Sequence, residues 1–176
     1  KFFKGLEKNY FTNFKVLYPS INKLSKFPKK KKTIVFSGKL NRSKGFPIYA
    51  DAIIKILNKY KKWSGIIIGD EPREKYTFKH KRLKYLGWVP HEQVLKCYSS
   101  SSITIVPSVW EEPFGRSSME AGSRGNAVII SNKGGLPETI NSPIILRNIS
   151  SKSIYDEVEN LINNQKLINH FQSDSF

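Results

Sequence analysis

Three cations and two glycines fall within eight residues, Gly38-Lys39-Leu40-Asn41-Arg42-Ser43-Lys44-Gly45, a combination suited to an oxygen-rich anion such as a diphosphate. Backbone amides near a helix start bind anionic oxygens, glycine lets the chain approach closely, and lysine supplies a compact, rotatable charge. The loop is not a Walker sequence, which needs Gly-Lys-Ser/Thr entering the helix. An ordinary exposed basic loop has the same composition. A second stretch, Pro107 to Ala121, holds Glu111, Glu112 and Glu120, with Phe114, Gly115 and Arg116 between them. Glu112 can reach sugar hydroxyls from a loop. Glu120, about one turn into a predicted helix, can accept bonds from a ribose diol, while amides near Gly115 face phosphate or sugar oxygens. On spacing alone, two loop carboxylates and a complement to a helix dipole account for these glutamates slightly better. A carboxylate pair also suits glycoside hydrolysis, but nothing makes these two flank a scissile bond.

Both stretches need elements that bring them to one place. Ile34-Val35-Phe36 is a short apolar run entering the first loop, and Pro47 sits where a first-turn proline is tolerated. The helix that follows carries Ile48, Ala52, Ile56 and Tyr60 on one face, widened by Ile53 and Leu57. Further strands are predicted at Ile66–Ile68, Lys84–Leu86, Ile103–Val106, Ala127–Ile130 and Ile144–Leu146. Helices are predicted at Pro90–Ser99 and Arg116–Arg124, with a single amphipathic helix from Ser151 to Phe171. Strands alternating with helices through Gly- and Pro-bearing loops predict an α/β, Rossmann-like parallel sheet with helices on both faces. Its ligands should gather beyond the carboxyl ends of the strands, where both stretches lie.

The chain has 176 residues, a single-domain length. Its 39% hydrophobic content is too apolar for a disordered tail despite a formal charge of +16. That charge favours anionic partners without choosing among nucleotides, nucleic acid and membrane. Residues 1–32 read as a lead-in or interdomain linker, with a helix at Phe2–Phe11, an extended piece at Val16–Tyr18 and a solvated cluster at Lys29–Lys32. Residues 33–176 form the predicted domain. Cys97 stands alone, so no disulfide framework can be drawn, and it reads as a buried structural thiol. His80, His91 and His170 lack ligand spacing, so no metal site is expected. Trp88 and Trp110 lie in ligand-side loops and could stack on a base or sugar, but packing is the better reading of both. A chain opening on Lys1, without Met, points to part of a longer protein.

The stretch Pro107 to Ala121, continued through Gly125 to Glu138, closely resembles the donor-site signature of family 4 of the retaining glycosyltransferases. Gly38-Lys39-Leu40 with Lys44-Gly45, then Ile66–Gly69, then Leu86-Gly87-Trp88-Val89 are similar to other landmarks of that family, in the same order. The resemblance implies the C-terminal, donor-binding half of a two-domain GT-B enzyme that transfers a sugar from a nucleotide diphosphate with retention of configuration, without metal or cofactor. It implies that Glu112 contacts the sugar, Phe114 and Gly115 frame it, and Glu120 holds the ribose. Gly87, Trp88 and Val89 would lie near the base, and Lys39 and Lys44 would neutralise the departing diphosphate beside Gly38. Lys39 replaces the family's usual Arg, so either Lys39 or Arg42 serves that role, and Arg116 either reaches phosphate or points to solvent. The implied partners are a nucleotide sugar and an N-terminal acceptor domain, not nucleic acid. The implied setting is bacterial surface polysaccharide or lipopolysaccharide synthesis in the cytoplasm, with peripheral contact to the inner membrane face compatible with the charge. The rivals are a basic module for nucleic acid or anionic membrane, built on Lys23–Lys32, and a related phosphorylase or epimerase.

Overall fold

A computed structural model describes residues 17–22, 24–76 and 79–176. The helix predicted at Phe2–Phe11, together with Val16 and Lys23, lies outside the described residues. Six strands form one sheet: β1 (Lys31–Ser37), β2 (Ser64–Ile68), β3 (Leu83–Tyr85), β4 (Ser101–Val106), β5 (Ala127–Ile130) and β6 (Ile144–Ile145). All pairings are parallel, in the order β3-β2-β1-β4-β5-β6. This is a Rossmann-like α/β fold, in which the chain reverses its direction of sheet growth between β1 and β4.

The helices are α1 (Phe46–Lys59), α2 (His91–Ser100), α3 (Arg116–Gly122), α4 (Ser151–Asn163) and α5 (Gln165–Ser175). Period-two alternation sorts the strand side chains between two cores. Ile34, Phe36, Ile103, Ile105 and Ile129 pack with α1, α4 and α5, whereas Val35, Val106, Val128 and Ile130 pack with α2 and α3. Burial on both faces is why β4 and β5 read as continuous apolar runs rather than alternating ones. The buried face of α1 runs through Tyr49, Ala52, Ile53, Ile56 and Leu57, with Phe46 at its start. Ile48 and Tyr60, predicted on that face, are only half-buried.

The tail departs from the single predicted helix. Asn164 closes α4 and opens α5, its side chain accepting a bond from the Leu167 amide at 3.0 Å. An N-cap asparagine satisfies a donor that a continuing helix would have bonded internally, so the chain turns there. The cluster Lys29–Lys32 is solvated in part: Lys29, Lys31 and Lys32 are exposed, but Lys30 is half-buried. Lys31 and Lys32 open β1, and the Lys30 ammonium donates to the Tyr98 carbonyl at 3.1 Å, the Ser99 carbonyl at 3.2 Å and the Arg124 carbonyl. Those carbonyls lie at or just past the ends of α2 and α3, where a cation is favoured. Burial lowers the pKa of Lys30 to about 7. Nearby, the fully buried Asn126 amide donates to the carbonyls of Tyr98 and Ala121 and accepts from the Thr104 hydroxyl, which locks both helices to β4. Cys97 is half-buried against the same core, and burial raises its pKa.

Candidate functional site

The loops that leave β1 and β4 meet at the reversal point. The Ser43 carbonyl accepts the amides of Val109 at 2.8 Å and Trp110 at 3.0 Å, and the Ser108 hydroxyl lies 3.1 Å from it. Gly45, at φ 70°, closes the contact from the other side: a Cβ there would stand 1.9 Å from the Pro107 carbonyl oxygen. Only glycine fits both the left-handed backbone and that approach.

Within the first loop Asn41 is the organiser. It is buried, its carbonyl oxygen accepts from the Ser43 hydroxyl and the Lys44 amide, and its amide nitrogen donates to Glu71 at 3.3 Å. The Arg73 guanidinium holds the Glu71 carboxyl down at about 2, so this brace is ionised at neutral pH. Lys44, so placed, donates to Glu112 Oε1 at 2.5 Å. The Ser108 hydroxyl lies 2.6 Å from the same oxygen. Glu112 is 8% exposed and Lys44 33%, so the carboxylate is compensated by a cation and a hydroxyl rather than by water. Its loop is held from below, where the Glu112 carbonyl accepts the Gly135 amide at 2.7 Å, and Glu111 bridges Lys133 and the Gly134 amide.

A cleft of about 410 Å³ opens here, lined by Gly38, Lys44, Glu112, Phe114, Gly115 and Arg116 among others. Six predicted residues therefore share one surface. Glu120 lies one turn into α3, 6% exposed, with its Oε1 3.0 Å from His91 Nε2 and 3.3 Å from the Arg116 guanidinium. Arg116 is thus engaged with Glu120 while its side chain stays 70% exposed. Gly87 joins the same rim through its carbonyl, which accepts the Gly69 amide at 2.8 Å, and the Gly38 amide bonds the Ile68 carbonyl at 3.0 Å.

Lys39 and Arg42 do not line the cleft. Lys39 is exposed beside Gly38, and Arg42 is exposed near Tyr76, its amide bonding Glu74. Val89 packs into the α2–α3 core. Trp88 and Trp110, expected to pack, are instead 78% and 61% exposed at the carboxyl end of the sheet. A larger cavity of about 780 Å³ opens near Phe46, Glu71, Tyr76 and Tyr85 and holds none of the predicted residues.

Sequence reasoning gave Ser43 and Ser108 no role and weighed His91 only as a metal ligand. Ser108 carried a signal, since it directly follows Pro107, which stops β4, and precedes Glu112 by four residues. His91 carried none, because its partner is 29 positions away.

Known proteins sharpen the picture. Residues 19–175 match the model of the family described as glycosyl transferases group 1. The chain is 33% identical over 117 residues to an uncharacterized glycosyltransferase of Methanocaldococcus jannaschii, covering 62% of this chain and 29% of that protein. It is 35% identical over 118 residues to the gpi3 subunit of phosphatidylinositol N-acetylglucosaminyltransferase of Schizosaccharomyces pombe, covering 62% and 25%. It spans less than a third of the length of either relative. A solved C-terminal domain of a glycosyl transferase group 1 family protein from Francisella tularensis superposes with a TM-score of 0.72 at 25% identity, covering 90% of this chain and 91% of that one. The Anabaena protein HepE, solved with UDP-glucose, shares the fold at a TM-score of 0.70 and 18% identity, over 82% of this chain and 43% of its own. With nearly the whole described chain matched, this protein belongs to the glycosyl transferases group 1 family.

Proposed function

We propose that this chain is the donor-binding domain of a retaining, metal-independent GT-B glycosyltransferase, and that its cleft takes a nucleotide diphosphate sugar. The observation that carries the reading is the meeting of Lys44 and Glu112 where the sheet reverses, 2.5 Å apart in a cleft also lined by Gly38 and Gly115. In this reading the Lys44 ammonium faces the diphosphate and offsets the charge that grows as the glycosidic bond breaks, which is where electrostatic stabilisation counts most. Glu112 turns from Lys44 to the sugar hydroxyls, with Phe114 and Gly115 beside the ring. Glu120 accepts from the ribose, and the Gly87–Val89 segment borders the base. An acceptor domain elsewhere in the full-length protein completes the active site. A lipid-linked or surface-glycan acceptor at the inner face of the cytoplasmic membrane fits the basic charge and the relatives that act on phosphatidylinositol.

Thermal unfolding in the presence of UDP-glucose, UDP-N-acetylglucosamine and the corresponding ADP and GDP sugars tests this. A ligand held only by the folded chain, at a hundred times its Kd, adds about 2.7 kcal/mol. For a domain of this size that raises Tm by roughly 5 to 10 °C. Failure of every donor and nucleotide diphosphate to shift Tm, with steeply salt-dependent binding to DNA instead, would replace the transferase reading with a basic binding module.

A further inference from the structure

We infer that His91 is a positioning residue for the nucleotide ribose: it holds one carboxylate oxygen of Glu120 so that the other is presented to the ribose hydroxyls. The inference rests on the donor-binding reading above and adds to it a second residue from a different helix.

Glu120 is 6% exposed, and a carboxylate so enclosed needs defined partners. A carboxylate has no hydrogen to donate at neutral pH, so in the 3.0 Å contact His91 Nε2 carries the proton and donates it to Oε1. The Arg116 guanidinium, one turn earlier on α3, reaches that same oxygen at 3.3 Å. Both donors therefore converge on Oε1. Oε2 has no hydrogen-bond partner among the described residues, and it is not among the buried unpaired atoms either, so it faces accessible space. The carboxylate is split into a held oxygen and an offered one.

His91 is suited to the holding role. It is the first residue of α2, directly behind Pro90 and the Gly87-Trp88-Val89 segment, so its ring ties the segment assigned to the base to the helix assigned to the ribose. Its side chain is 53% exposed and, among the described residues, makes no hydrogen bond besides the one to Glu120, so packing does not require a histidine there. Arg116 alone is a weaker restraint, because its 70% exposed side chain, paired i,i+4 on one helix, is long and free to sample other geometries. A rigid ring bonded across two elements fixes the carboxylate plane.

The test compares calorimetric Kd values for UDP and 2′-deoxy-UDP across the wild-type chain, E120A, H91A, H91Q and H91N. One charge-assisted bond to the 2′-hydroxyl makes wild type prefer UDP by about tenfold or more. E120A brings that ratio near one if Glu120 holds the ribose. H91A is expected to cut the preference to about threefold or less while binding of 2′-deoxy-UDP stays within about twofold of wild type. Gln places its amide nitrogen at the same bond count from Cα as Nε2, so H91Q restores the preference, whereas H91N, which mimics Nδ1, does not. If H91A weakens UDP and 2′-deoxy-UDP equally, His91 is structural and the inference falls while the ribose reading stands. The same holds if H91A leaves the preference untouched. If wild type shows no preference, or E120A retains it, the ribose reading itself fails and takes the inference with it.

Discussion

Removing the carboxylate of Glu112 should strengthen, not weaken, the binding of a bare nucleotide diphosphate. Lys44 Nζ and Glu112 Oε1 are 2.5 Å apart, so the cation proposed to face phosphate is already paired. A phosphate on the far side of the ammonium lies roughly 6 Å from the carboxylate and meets about 3 kcal/mol of repulsion per unit charge at an effective dielectric constant near 20. Screening at physiological salt brings this to about 1 kcal/mol, or roughly fivefold in Kd. E112Q keeps the shape and the Ser108 contact but removes the charge. It is therefore expected to bind UDP about fivefold more tightly while losing any preference for UDP-glucose over UDP. K44M loses the phosphate contact outright, about 1.5 to 3 kcal/mol for a hydrogen bond to a charged group. It also leaves the 8% exposed Glu112 carboxylate with only the Ser108 hydroxyl, so K44M should melt lower than wild type, and adding E112Q should recover part of that loss. Titration calorimetry with UDP and UDP-glucose, beside thermal melts of the four proteins, reads both effects. If E112Q weakens UDP as much as K44M does, or the double variant melts no higher than K44M, the carboxylate does not compete with phosphate for Lys44.

Two further expectations test the scaffold. At Gly134 an added Cβ would stand 2.1 Å from the Glu112 carbonyl oxygen at a φ of 53°, so G134A combines a left-handed penalty with an immovable backbone clash. It should cost about 2 to 4 kcal/mol, and an unchanged melting temperature would show that the turn does not carry the Glu112 loop. On the opposite layer, Glu159 on α4 accepts from Lys59, Tyr60 and Tyr155, and the Lys59 ammonium first among these holds its carboxyl down at about 2. A carboxyl whose pKa falls on folding stabilises above its unfolded pKa near 4.5 and loses that contribution as pH drops through 2, because the unfolded chain then binds the proton more readily. Melting temperature should fall over that window in wild type and fall less in E159Q. Identical profiles would remove Glu159 from the acid response.

What was legible in the sequence was what a short window encodes. Ile34–Phe36, Ile66–Ile68 and Ala127–Ile130 stood out because strands covered on both faces are apolar throughout and stop at Gly, Pro or polar residues. The break at Asn164 was not legible in periodicity, since Ile154, Val158, Leu161 and Ile168 keep helical spacing across it and are all buried. Only the capping side chain reveals the turn. The family likeness selected Glu112, Glu120 and Lys44, but not their state: the Lys44–Glu112 pair spans 68 positions and the His91–Glu120 pair spans 29, and neither distance follows from local pattern. Lys30 was misread for the same reason, because its three carbonyl partners belong to the ends of helices that arrive much later in the chain.

Strand order supplies the missing link. β1 pairs with β2 on one side and β4 on the other, so the chain leaving β1 enters α1 on one face, while the chain leaving β4 enters α3 on the opposite face. Two neighbouring strands whose crossovers diverge must leave a crevice between their carboxyl ends. The base of the crevice is bridged where the Ser43 carbonyl accepts the amides of Val109 and Trp110 and Gly45 abuts Pro107. Above that seam the Lys44 ammonium and the Glu112 carboxylate are the charged groups that face each other, one from each loop. A ligand carrying a diphosphate and a polyol is complementary to both signs at once, whereas a simple polyanion such as DNA would meet Glu112 as an obstacle. On the proposed donor-binding reading, the cleft therefore favours a nucleotide sugar over nucleic acid, two of the three partner classes that net charge alone leaves undecided.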